Sequence, residues 1–280
     1  RRYSCLAGAR PALTDSPEAA LTDSLDPANP PEQIALAKHQ PRTLGFWWTA
    51  LWGFVIFIAL FAGQAAVVGY FLLVHDGPVD ASALVHIASR GLTLSLSVIM
   101  GVPAVLLAVY FAVRHTRTPF AEYLGLRWTS WKYLAIGIVG MIVIVMGWDL
   151  MSRATGREVS PGFMMEVLKT AQGDGTVWLL VIAFCVAAPL SEELFARGFL
   201  YRGWSDSFLR VPGAIILSSL VWTSLHLQYD WYFFLEVFAL GVWFGYLRAI
   251  SHSTWLTVVL HGLNNLAATV QTMWLASGHS

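Results

Sequence analysis

Charge is scarce in this chain. Only 12% of its 280 residues are Asp, Glu, Lys or Arg, against about a quarter in a typical soluble domain, which excludes an ordinary water-soluble globule. The formal net charge is +0, so no excess of either sign points to nucleic acid or an acidic partner. Cys5 and Cys185 are too few and too differently placed for a disulfide framework or a cysteine-based metal site. The start lacks the basic segment and short apolar core of a signal peptide. Its first residue is Arg rather than Met, which reads as a fragment or a processed start. No period marks a repeat architecture. No Ser or Cys stands beside a His at a recognisable nucleophile spacing, which argues against covalent catalysis.

Hydrocarbon is what abounds. The chain is 56% hydrophobic, its mean hydropathy is +0.60, and it has 13 tryptophans, a residue that gathers at lipid–water boundaries. Residues 1–43 are rich in Pro, Ala, Asp and Ser and read as a disordered polar tail, since they hold too little apolar surface to fold alone. Residues 44–278 read as a transmembrane helical domain. Seven runs there approach the ~20 residues that span a bilayer: 44–74, 91–113, 133–148, 176–203, 211–226, 231–247 and 254–276. "PGFMMEVLKTA" between the third and fourth suggests a short interfacial helix. The expected fold is all-α, a polytopic bundle of about seven to eight helices with its active-site cavity within the membrane.

Basic residues in short loops set orientation. Lys38 and Arg42 precede the first helix, and Arg114, Arg117, Arg127 and Lys132 lie between the second and third. Arg202, Arg210 and Arg248 fall on the same side, so the N-terminus is expected to be cytoplasmic and the C-terminus outside.

The apolar run 176–188 leads into "PLSEELFARGFLYRGW", where two glutamates and an arginine enter a segment built for lipid. Each ionised side chain at the centre of a span costs about 2.5–3.5 kcal/mol on insertion scales. Glu193 and Arg197 are four apart and can pair on one helix face. Glu192 points about 100° away and is not neutralised by that geometry. An ion pair pinning two helices accounts for Glu193 and Arg197 but leaves Glu192 unexplained.

Two later helices add polar groups. "WTSLH" sets Trp222 and His226 on one face, and "HGLNN" does the same for His261 and Asn265. Gly241 and Gly245 make a small-xxx-small face for close packing, while Glu236 is left without a role. Counted inward from the cytoplasmic boundaries, Glu192 lies ~18 Å deep, His226 ~22 Å and His261 ~10 Å. A carboxylate and two imidazoles can therefore meet in the inner half of the membrane.

Such a set suits two chemistries. Glu192, His226 and His261 match the ligands of a catalytic divalent metal, most simply Zn2+, with a position open for water. Alternatively, Glu192 in a low-dielectric cavity serves as general base to a water with a histidine assisting. Asn265 could donate to a developing oxyanion, and Arg197 could hold Glu193 or a substrate carboxylate. Both routes suit peptide hydrolysis in or beside the membrane.

With these residues laid out, the chain resembles the CPBP (ABI) family of intramembrane metalloproteases, which includes the CAAX prenyl endopeptidases. "EELFAR" supplies the family's Glu-Glu-x-x-x-Arg box. "WTSLH" supplies the Phe-x-x-x-His box with Trp222 in place of Phe, a change that bears on packing and not on chemistry. "FALGVWFG" matches the glycine-spaced helix, and "HGLNN" the His-x-x-x-Asn box. The resemblance covers about residues 115–270. It implies that Glu192 activates water with His226 assisting, while His261 and Asn265 stabilise the transition state or complete the site. A membrane-associated protein or peptide is the implied substrate, and a bacterial inner membrane the implied location. A non-catalytic immunity protein of the bacteriocin type and a transporter are the alternatives.

Overall fold

The computed structural model describes residues 43–160 and 162–277. The expected disordered tail lies outside them apart from its last residue. Among the described residues every regular element is helical. In chain order these are α1 (Phe46–Leu73), α2 (Ala81–Ser89), α3 (Gly91–Arg114), α4 (Phe120–Tyr123), α5 (Trp131–Ala154) and α6 (Gly162–Gly173). Then come α7 (Val177–Ser205), α8 (Arg210–Thr223), α9 (Trp231–Ser251) and α10 (Thr254–Ala276). This is a polytopic helical bundle. In hydrocarbon a helix satisfies its own backbone, which a lone strand cannot do.

Among the described residues five helices, α1, α3, α5, α7 and α9, are long and apolar enough to cross a membrane. The other two expected spans differ for separate reasons. α8 has 14 residues and continues only as a short 3-10 turn, Ser224–His226. At 1.5 Å per residue those 14 residues reach about 21 Å, short of a ~30 Å hydrocarbon core, so His226 sits at a helix end. α10 has the length, 23 residues, but spends its apolar character on His261, Asn264, Asn265 and Gln271. α2 was not expected from the sequence. Asp80 caps it by accepting from the Ala83 N–H at 2.8 Å. α6 occupies the segment read as a short interfacial helix.

α7 is the centre of the bundle. Half of its apolar window is buried, against 11% for α5. Phe195, Phe199 and Leu200 pack against Ile56 of α1 and Val105 and Val109 of α3. Across the bundle, Met141 of α5 joins Leu240, Phe244 and Leu247 of α9 and Leu256 and Leu260 of α10. The outward faces carry exposed apolar side chains. Several exposed tryptophans stand at helix ends, among them Trp47, Trp131, Trp178, Trp231 and Trp274, where indoles anchor a span to the interface.

Lipid gives two apolar helices no hydrophobic reason to associate, so small residues at the crossing matter. The expected glycine face on α9 is used in this way. A Cβ on Gly245 would meet Ile215 of α8 at 2.9 Å, and one on Gly241 would meet Trp222 at 3.0 Å. The two glycines let α9 lie close against α8, and Trp222 takes the space beside Gly241.

Candidate active site

The middle of α7 is not a regular α-helix. Two π-helical stretches, Ala183–Ala187 and Leu194–Leu200, bracket the segment Ala188–Glu193, with Pro189 near its start. Proline lacks an N–H and crowds the carbonyl four residues earlier, and single π turns in helices recur at functional sites. α10 covers the first irregular stretch. The Asn265 amide donates from Nδ2 to the Phe184 carbonyl at 2.8 Å. A Cβ on Gly262 would sit 2.6 Å from the Cys185 carbonyl oxygen, so only glycine permits this approach. Asn265 therefore satisfies backbone that the π turn displaces, using one of its two N–H donors.

Behind the site lies a buried ionic network. Glu193 and Arg197 are both fully buried, and Arg197 Nη1 donates to Glu193 Oε1 at 2.9 Å, as the spacing of four led us to expect. Arg197 Nη2 donates to the Gly241 carbonyl at 2.9 Å. Its guanidinium lies over the Trp222 ring, 4.4 Å from the centroid, a cation–π contact that gains from desolvation. His261 turns Nδ1 to the same Glu193 oxygen at 3.0 Å. One carboxylate thus ties α7 to α10, and its arginine ties α7 to α9.

Glu192 stands outside that network. Its Oε2 accepts the Trp222 indole N–H at 2.6 Å, and its side chain lines a cavity of about 900 Å³ inside the bundle. His226, His261, Asn264 and Asn265 line the same cavity. The Trp222 ring is in edge contact with both imidazoles, 5.2 Å from His226 and 5.3 Å from His261. The convergence of α7, α8 and α10 on one internal space, read from depth alone, is what the structure contains.

Two expectations are altered. Glu192 was expected to face both histidines, but the carboxylate that meets His261 is Glu193, because α10 docks on the side of α7 that carries the Arg197 pair. Trp222 was read as a packing change, yet its N–H is bonded to Glu192. The metal expectation meets a related obstacle. Among the described residues no three His, Cys, Asp or Glu side chains gather as a metal-binding group. Within the expected set of Glu192, His226 and His261, Oε2 of Glu192 holds the indole and Nδ1 of His261 faces Glu193. Glu192 Oε1 and His261 Nε2 keep no such contact among the described residues. The set is therefore not gathered as a three-ligand site in this arrangement, and the route proposed for water runs through carboxylate and imidazole.

Several cavity residues were not singled out from sequence. Asn264 stands one residue before Asn265, its amide 3.5 Å from Asn265 Oδ1. Farther along the cavity, Gln271 Nε2 donates to Asp149 Oδ2 at 2.9 Å, near the wall lined by Glu236, the one of these that the sequence did bring out, without a role. Asp149 was detectable as a lone acid in an apolar run. Gln271 gave no pattern that would have marked it.

Comparison with known proteins agrees with the four boxes. Residues 174–267 match the family described as Rce1-like, type II CAAX prenyl endopeptidase. The UPF0177 protein YbdI of Lactococcus lactis subsp. lactis (strain IL1403) is 33% identical over 97 residues, 33% of this chain and 49% of that protein. The chain spans about half the length of this curated relative. No solved structure matches. The matched segment holds Glu192, Glu193, Arg197, His226, His261 and Asn265. The match begins at residue 174, so the resemblance expected from about residue 115 is met over its later part.

Proposed function

We propose that this protein is an integral membrane endopeptidase that hydrolyses a peptide bond of a membrane-associated protein or peptide by water activated at Glu192. The observation that carries this reading is a carboxylate outside every ion pair of the described residues, on the wall of a cavity in the bundle, with a buried ionic network behind it. In the proposed reaction Glu192 takes a proton from water, and the hydroxide attacks the scissile carbonyl carbon. Glu193 orients His261 by its Nδ1, which leaves Nε2 for the cavity. That nitrogen, when protonated, and the remaining Asn265 N–H would stabilise the developing oxyanion. Glu192 then returns its proton to the leaving amine, so that water is split across the new carboxylate and amine. His226 assists at the water.

The test is turnover by purified protein in detergent. The probes are a quenched peptide ending in a farnesylated CAAX sequence, the same peptide without lipid, and a single-span peptide. Cleavage of any of them supports the reading. No cleavage across the set, with a folded protein, would favour a non-catalytic immunity-type role.

The same assay addresses the metal. The proposed route assigns the proton transfers to carboxylate and imidazole, so dialysis against a chelator is expected to leave the rate unchanged. Loss of activity on chelation, restored by zinc, would show instead that Glu192, His226 and His261 close around an ion.

Orientation is proposed from the basic loops: an N-terminus in the cytoplasm and a C-terminus outside, in a bacterial plasma membrane. Reporter fusions after residues 40 and 278 are expected to report opposite sides. Two fusions on one side would mean that α8 or α10 does not cross.

A further inference from the structure

The geometry assigns Trp222 as a positioning residue: its indole N–H holds Oε2 of Glu192 and leaves Oε1 as the oxygen offered to water. The functional part of this inference rests on the hydrolytic reading above. The contact itself does not.

The direction of the bond is fixed by chemistry. An indole N–H can only donate and an ionised carboxylate can only accept, so neither a ring flip nor a tautomer choice enters. At 2.6 Å the contact is short, in keeping with a charged acceptor. Oε1 has no hydrogen-bond partner among the described residues, so the two oxygens of Glu192 are made unlike.

Trp222 can impose this orientation because it is itself immobilised. It is 2% exposed. The Arg197 guanidinium covers its ring at 4.4 Å, and Arg197 is anchored by Glu193 and by the Gly241 carbonyl. On another side the missing side chain of Gly241 makes room for the ring, whose Cε3 would lie 3.0 Å from a Cβ there. Phe244 packs on it at 6.3 Å, and both imidazoles meet its edges. The buried ion pair thus acts on Glu192 through Trp222. Phenylalanine at this position would keep most of the packing and lose the donor.

Two measurements test the assignment. In protein labelled with 15N at the indole nitrogens, one of the 13 Trp N–H signals is expected far downfield. It should vanish in Trp222→Phe and move upfield in Glu192→Gln and Glu192→Ala, with the other indole signals in place. Kinetically, Trp222→Phe should lower kcat roughly 10- to 100-fold with KM unchanged, the size of effect expected when a catalytic group loses its orientation. If no indole signal responds to the Glu192 variants, the assignment is overturned whether or not the protein cleaves peptides. If Trp222→Phe keeps wild-type kcat in an active enzyme, the positioning role is overturned. A responding signal in a protein that cleaves nothing would uphold the contact and remove the hydrolytic reading instead.

Discussion

Glu192→Gln is expected to end peptide cleavage while leaving the helix bundle as stable as before. Among the described residues Glu192 belongs to no ion pair, and its one hydrogen bond there is the N–H of Trp222, which a Gln carbonyl oxygen can still accept. Shape and volume are kept, so no cavity opens in the core. What is lost is basicity, because an amide does not take a proton from water at neutral pH. Loss of a general base costs about 10²–10⁴ in rate, which would put the variant near background. Thermal melting in detergent, helicity and expression should match wild type. A variant that melts early would place Glu192 among the structural residues.

Glu193→Gln is expected to fail in the other way, through the fold. The Glu193 carboxylate is the charge partner of a fully buried arginine and the hydrogen-bond partner of His261. A neutral amide leaves the guanidinium of Arg197 without a counter-charge in a low-dielectric setting. Removing one member of a buried pair costs on the order of 3–5 kcal/mol, so melting should fall together with activity. Arg197→Met should do similar damage by stranding the carboxylate. The double variant Glu193→Leu with Arg197→Met removes both charges and should recover part of the lost stability. It should stay inactive, because Trp222 and His261 lose their supports. Melting curves of the two single variants and the double variant check this. A Glu193→Gln protein that melts like wild type would mean that the pair does not hold the helices together.

Much of the site could be read from the chain because hydrocarbon makes polar residues conspicuous. Glu192, Glu193 and Arg197 stand out in a span where each charge is costly, and the spacing of four is enough to pair Glu193 with Arg197. Depth counting placed Glu192, His226 and His261 within the membrane, at ~18, ~22 and ~10 Å, because helical rise is nearly constant. The partners across helices were not readable. A regular 100° per residue places Glu192 and Glu193 on α7, but the π-helical stretch beginning at Leu194 shifts the register just beyond them. Which of the two meets α10 depends on how Gly262 docks against Cys185, and spacing within one helix does not contain that. The Trp222 bond to Glu192 was missed for a similar reason. An aromatic on a packed face looks like core until a facing acceptor is known. α8 was drawn too long because an apolar run says nothing about where a helix tightens into a 3-10 turn, and α2 was missed because its nine residues are too short for a periodic signal.

Water activation by Glu192 is the step on which the proposed hydrolysis depends. It is tested most directly by mass spectrometry of the farnesylated CAAX peptide incubated in H2(18)O with purified wild type, in parallel with Glu192→Gln at equal folded concentration. Two fragments are expected from wild type, with one 18O atom in the new carboxylate, and intact peptide from the variant. Cleavage by Glu192→Gln at close to the wild-type rate would contradict it.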